Sequence, residues 1–241
     1  MHCSRDGARS LILRRNNDVM VGSPAAVIWD LDGTIIDSAP DIAGALNTLL
    51  QSHGKPTIPE TDVRNMIGNG VVKLIERGFA ESGSIVGATE LRCLQPEFMT
   101  IYAVRATRLS QVYPGGRSAL QAFQNVGVLQ VVCTNKPEDI SCSILSDLNL
   151  DQYFEFVIGG DTLAHRKPHP LPLQSCLDML GTNVDSTVMI GDSAVDVETA
   201  RAVGMTIGLV THGYARQPVE TLGADFLISD LATLPNDVGE Q

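Results

Sequence analysis

The chain has 241 residues, 44% of them hydrophobic and 19% charged, with a formal net charge of −11. At roughly 150 residues per domain, this is one large domain or one domain plus a smaller one, with too much apolar content for a disordered chain. No stretch approaches the roughly 18 apolar residues that cross a bilayer, and an acidic chain is a poor match for a phosphate backbone, so neither membrane nor nucleic acid is an expected partner.

Residues 1–23 stand apart. They carry Arg5, Arg9, Arg14 and Arg15 around a short apolar run at Leu11, Ile12 and Leu13, too short for a secretory signal. They read as an unordered leader, or as sequence upstream of a true start at Met20. From Ala25 the pattern becomes regular. Ala25-Ala26-Val27-Ile28-Trp29 is a short apolar run ending in Asp30, the signature of a buried strand.

A helical stretch follows. Ile42, Ala45, Leu46, Leu49 and Leu50 repeat with the period of an amphipathic helix. Val63, Met66 and Ile67 start another, which Gly68-Asn69-Gly70 interrupts and Val71, Leu74, Ile75 and Phe79 resume. Leu91, Leu94, Phe98, Ile101 and Tyr102 continue the pattern. Beyond residue 110, strands and helices alternate. Apolar runs at 128–133, 154–158, 187–190, 206–210 and 225–228 read as strands. Leu120, Phe123 and Val126, then Ile140, Ile144, Leu145 and Leu148, then Leu173, Leu177 and Leu180 mark helix faces between them. The expected fold is α/β, a Rossmann-like parallel sheet built from residues 24–40 and 111–241, with an inserted all-helical cap over 41–110.

Five cysteines, at 3, 93, 133, 142 and 176, contain no C-x-x-C pair, so neither a disulfide framework nor a zinc site is expected, and a reducing cytoplasm fits. Four segments carry chemistry, each at the end of an expected strand. Asp30-Leu31-Asp32-Gly33-Thr34 places two carboxylates at i and i+2, on one face of a strand, with a glycine to turn the chain. Thr134-Asn135-Lys136 offers a hydroxyl and backbone N–H groups for phosphate oxygens. Lys167-Pro168-His169-Pro170 holds a lysine in a stiffened loop. Gly191-Asp192-Ser193-Ala194-Val195-Asp196 adds two carboxylates suited to a hard cation. Taken singly, each has a plainer reading: a turn, a helix N-cap, a loop lysine, a first-turn helix acid.

Together and in this order, the four segments resemble the haloacid dehalogenase superfamily of phosphohydrolases, with the helical insertion resembling its type-one cap. Ile67-Gly68-Asn69-Gly70, Glu76-Arg77, Val157-Ile158-Gly159-Gly160-Asp161 and Lys167-Pro168-His169-Pro170 resemble the branch that acts on 2-phosphoglycolate. Trp29 departs from the phenylalanine more usual there. The resemblance implies Asp30 as the nucleophile that forms an aspartyl-phosphate and Asp32 as the general acid and base. It implies Mg²⁺ held by the Asp30 carboxylate, the Asp32 carbonyl and Asp192, with Asp196 outside the ligand sphere or linked through water. It implies Thr134, the Asn135 backbone and Lys167 as phosphate binders. The cap would select the substrate, and Arg64, Asn69 and Arg77 are its candidates, beside Lys73. The expected partner is a small phosphomonoester, and the chain a monomer or homodimer. Two alternatives stay open: another substrate on the same chemistry (a sugar phosphate, muramic acid 6-phosphate, pyrophosphate, or a phosphomutase reaction), and a catalytically silent phosphate-binding module.

Overall fold

The computed structural model describes residues 12–15, 18–21 and 24–234. Ile12–Arg15 and Asp18–Val21 form an antiparallel strand pair. The remainder of residues 1–23, and with it the expectation of an unordered leader, lies outside the described residues.

A six-stranded, all-parallel sheet forms the core. Its strands are β1 (Ala26–Trp29), β2 (Leu129–Cys133), β3 (Val157–Ile158), β4 (Thr187–Gly191), β5 (Thr206–Val210) and β6 (Phe226–Ile228), in the spatial order β6-β5-β4-β1-β2-β3. β1 is central and every residue in it is buried, so it reads as a continuous apolar run and not an alternating one. Of the expected 154–158 strand, Val157 and Ile158 stand in register with Val132 and Cys133, and the backbone hydrogen bonds to β2 begin earlier: Glu155 N–H donates to the Gln130 carbonyl at 2.8 Å and Val132 N–H to the Phe156 carbonyl at 3.2 Å.

Side-chain alternation along β1 feeds two cores. Val27 and Trp29 join Leu120, Phe123 and Ile144 on one face, with the helices α5 (Gly116–Asn125) and α6 (Glu138–Asp147). Ile28 joins Val131, Met189 and Ile207 on the other, with α7 (Leu171–Leu180) and α8 (Ala194–Val203). Trp29 needs a partner for its buried indole N–H, and Gln130 on the neighbouring strand accepts from Nε1 at 3.2 Å. Phe123 meets its ring edge-on at 6.0 Å. Val126 departs from the expected α5 face: it caps the helix and is 68% exposed. Cys133 and Cys176 are buried free thiols, while Cys93 and Cys142 are exposed ones.

Four helices follow β1: α1 (Ala39–Ser52), α2 (Glu60–Arg64), α3 (Val71–Glu81) and α4 (Ala88–Ala103). α1 starts two residues ahead of the expected 41–110 segment because Pro40 suits a helical first turn. Its face Ile42, Ala45, Leu46, Leu49 and Leu50 is buried, as are Leu74, Ile75 and Phe79 of α3 and Leu94, Phe98 and Tyr102 of α4. The chain leaves and rejoins the sheet side by side, for Ile36–Asp37 pairs antiparallel with Gln111–Val112. Among the described residues no helix is long and apolar enough to cross a membrane.

Candidate active site

Parallel strands end together, so the loops after β1, β2 and β4 meet at one edge of the sheet. Asp30 follows β1, Thr134 follows β2 and Asp192 follows β4. Gly33 then turns the chain with a φ of 83°, and a Cβ at that position would lie 2.3 Å from Asp192 Oδ2. Only glycine permits both this backbone and this approach. Asp30, Asp32, Thr134, Asn135 and Lys136 line one pocket, roofed by Ile42, Ile67, Val71, Leu74, Phe98 and Tyr102 from the helical segment.

Two charge clusters occupy this edge. In the first, Lys167 Nζ lies 3.0 Å from Asp30 Oδ1 and 2.7 Å from Asp196 Oδ1, with its side chain 2% exposed. Asp30, Asp192 and Asp196 are all buried, and one carboxylate oxygen of each lies within 4.8 Å of the others. Burial, partly opposed by Lys167, raises the Asp30 carboxyl to about 6. Burial and then the charges of Asp196 and Asp30 push Asp192 well above the ordinary carboxylate value. Lys167 is held protonated: the charges of Asp196 and Asp30 outweigh its burial.

Asp196 has a structural duty as well. Its Oδ2 accepts from the backbone N–H of Asp192 (3.2 Å) and Ser193 (3.1 Å) and from Ser193 Oγ (2.7 Å), closing a capping box on α8. With Oδ1 on Lys167, both of its oxygens are occupied. Asp192 Oδ2 accepts from the Tyr214 N–H at 2.6 Å.

The second cluster holds Asp32. Lys136 Nζ donates to Asp32 Oδ1 at 2.9 Å and Oδ2 at 3.0 Å, and to the Tyr102 hydroxyl at 2.6 Å. Ser38 Oγ donates to Asp32 Oδ1 at 2.5 Å. Lys136 stays protonated because Asp32 and Tyr102 outweigh its burial, and burial lifts the Tyr102 phenol to about 12. Neither Lys136 nor Tyr102 is named by the sequence reading as a site residue. Lys136 sits inside a quoted motif, and Tyr102 is visible in the sequence only as a helix-face residue.

The phosphate candidates Thr134 and Asn135 follow the end of β2. The Thr134 N–H donates to the Ile158 carbonyl at 2.9 Å, leaving the hydroxyl and the Asn135 backbone as donors at that strand end. Asn135 Nδ2 donates to Gly68 O and Lys167 O, both at 3.0 Å, while its buried Oδ1 has no partner among the described residues. The helical-segment candidates divide. Arg64 is committed to Asp37 (2.8 Å) and Glu60 (2.9 Å) and lies 5.5 Å from the Tyr214 ring centre. Lys73 pairs with Glu76 at 2.6 Å. Asn69 and Arg77 line a neighbouring cleft that shares Ile67 and Gly68 with the Asp30 pocket.

Residues 27–210 match the family model described as haloacid dehalogenase-like hydrolase. A phosphoglycolate phosphatase of Caulobacter vibrioides is 39% identical over 211 residues, covering 88% of this chain and 89% of the relative. One of Rhodospirillum rubrum is 39% identical over 220 residues, covering 90% and 91%. The crystal structure of a predicted phosphoglycolate phosphatase from Haemophilus somnus superposes with a TM-score of 0.83 at 28% identity, covering 88% of this chain and 96% of that one.

Proposed function

This chain belongs to the haloacid dehalogenase-like hydrolase family, and from that premise we propose that it hydrolyses 2-phosphoglycolate to glycolate and inorganic phosphate. The observation that carries the reading is the meeting of Asp30, Lys167, Asp192 and Asp196 at one sheet edge, with Asp32 and Thr134 lining the same pocket as Asp30. The choice of substrate draws on the relatives named phosphoglycolate phosphatase, at 39% identity over most of the chain.

In this reading Asp30 attacks phosphorus. The bond from phosphorus to the ester oxygen breaks, and Asp32 gives its proton to the departing alkoxide. A water then attacks the aspartyl-phosphate, Asp32 takes its proton, and Asp30 is regenerated. Lys167, the Thr134 hydroxyl and the Asn135 N–H bind the phosphoryl oxygens, where hydrogen-bond donors act most strongly on developing charge.

Three buried carboxylates against one buried ammonium leave an excess of negative charge, and oxygen donors suit a hard divalent cation. Asp30, Asp192 and the Asp32 carbonyl would hold Mg²⁺, which when bound neutralises charge on the phosphoryl group. The setting is cytoplasmic.

The test is phosphate release from 2-phosphoglycolate, 3-phosphoglycerate, glucose 6-phosphate, muramic acid 6-phosphate and pyrophosphate, with Mg²⁺ and with chelator. The highest kcat/KM falls on 2-phosphoglycolate and is lost with chelator. A preference for another member of the panel overturns the substrate assignment and leaves the Asp30 chemistry standing. No release from any of them overturns both.

A further inference from the structure

We propose that Arg77 and Arg216 form an anion subsite for the substrate's carboxylate, the group that distinguishes 2-phosphoglycolate from a plain alkyl phosphate. The inference rests on the substrate reading above and names the residues that would produce the preference.

Arg77 comes from α3 and Arg216 from the loop after β5, 139 residues apart in the sequence. Their guanidinium groups converge on one neutral atom: Asn69 Oδ1 accepts from Arg77 at 2.9 Å and from Arg216 at 3.2 Å. Arg77 is anchored further by the Met66 carbonyl at 2.9 Å. Among the described residues, neither arginine has a carboxylate within 4.0 Å, whereas Arg64 and Arg201 are each ion-paired. Among the described residues, Glu198 is the one acid lining their cleft. Two cations sharing a neutral oxygen repel each other. Burial, and then Arg216, lower the Arg77 pKa, so its charged form is disfavoured. In a chain of net charge −11, an anion between them removes that repulsion.

The position suits a molecule with two anionic ends. Asn69 follows Gly68, whose carbonyl accepts from Asn135 at the phosphate end at 3.0 Å. Arg216 lies two residues past Tyr214, whose N–H binds Asp192 at 2.6 Å. The cleft that holds the pair shares Ile67 and Gly68 with the Asp30 pocket. Two planar forks match a carboxylate in a way that a single ammonium does not. Arg64, occupied by Asp37 and Glu60, drops out of the clamp.

The experiment compares kcat/KM for 2-phosphoglycolate with that for ethyl phosphate, a two-carbon ester lacking the carboxylate, in wild type, Arg77→Gln and Arg216→Gln. Arg216 is exposed, so the second substitution spares the core, and a melting curve checks the fold of both. The ratio is expected to fall at least fivefold in each variant. A high wild-type ratio that falls less than fivefold in both variants overturns the subsite alone. A wild-type ratio near one overturns the subsite and the substrate reading together.

Discussion

Asp30 and Asp32 stand two residues apart in the chain and live in opposite electrostatic settings. Asp30 shares one ammonium, that of Lys167, with Asp196, and Asp192 lies beside them. Asp32 has the Lys136 ammonium to itself, on both oxygens, with Ser38 and Tyr102 completing the network. One cluster is short of positive charge and the other is balanced. The difference suits the two carboxylates to the different roles proposed for them. On the proposed reading, the unbalanced side is the one suited to a cation and a phosphoryl group. The balanced side holds its carboxylate in one orientation and has no charge left to recruit a metal.

The most severe way to break this contrast is Asp30→Asn. Loss of the nucleophile lowers kcat by on the order of 10⁴-fold or more. The same change stabilises the metal-free protein at neutral pH. The folded-state carboxyl is raised from 3.8 to about 6, so the stability it contributes is fully present below pH 3.8 and is lost as pH rises through 6. Asparagine never ionises, so the variant gains up to about 3 kcal/mol over wild type at pH 8 and nothing near pH 3.5. Melting curves in chelator at the two pH values read this directly, and a variant less stable than wild type at pH 8 would contradict it.

Lys167→Met comes next. It leaves Asp30, Asp192 and Asp196 buried without an ammonium and costs about 3–5 kcal/mol of stability. Removing a donor to the phosphoryl oxygens lowers kcat by roughly 10²- to 10³-fold. A stability loss under about 1 kcal/mol in urea unfolding would mean that the acidic cluster is not held by this lysine.

Lys136→Met sharpens the contrast at its weaker end. Asp32 keeps Ser38, so the effect is on the placement of the acid and not on its presence. For ethyl phosphate kcat falls about 10-fold, a fraction of what general acid catalysis supplies. For p-nitrophenyl phosphate, whose leaving group departs without a proton, the fall is smaller. An equal fall for both esters would assign Lys136 to phosphate binding and remove it from the positioning of Asp32.

Legibility in the sequence followed the distance over which each feature is decided. Strands β1, β2, β4, β5 and β6 and the faces of α1, α3 and α4 were readable because period and burial are local properties of a short run. The four motifs were readable because each follows its own strand. Val126 departs from its expected burial because apolar character alone does not say where a helix ends. Lys136 was in view yet unassigned, since its partners, Asp32 and Tyr102, lie 104 and 34 residues away. Arg64 is a cation of the helical segment in the sequence, and only folding brings Asp37, 27 residues earlier, against it.

The sequence by itself determined a parallel α/β sheet with a helical segment after its first strand, and which residues could carry phosphoryl chemistry at the strand ends. The first follows from side-chain period, the second from the family resemblance that the four motifs carry together. Only the tertiary structure decided which charges meet. Ion pairs and hydrogen bonds form across the short distances created by folding, between residues that have no spacing in common: Lys167 pairs with Asp30 and Asp196, Lys136 pairs with Asp32, and Arg77 and Arg216 meet on the neutral Asn69 Oδ1.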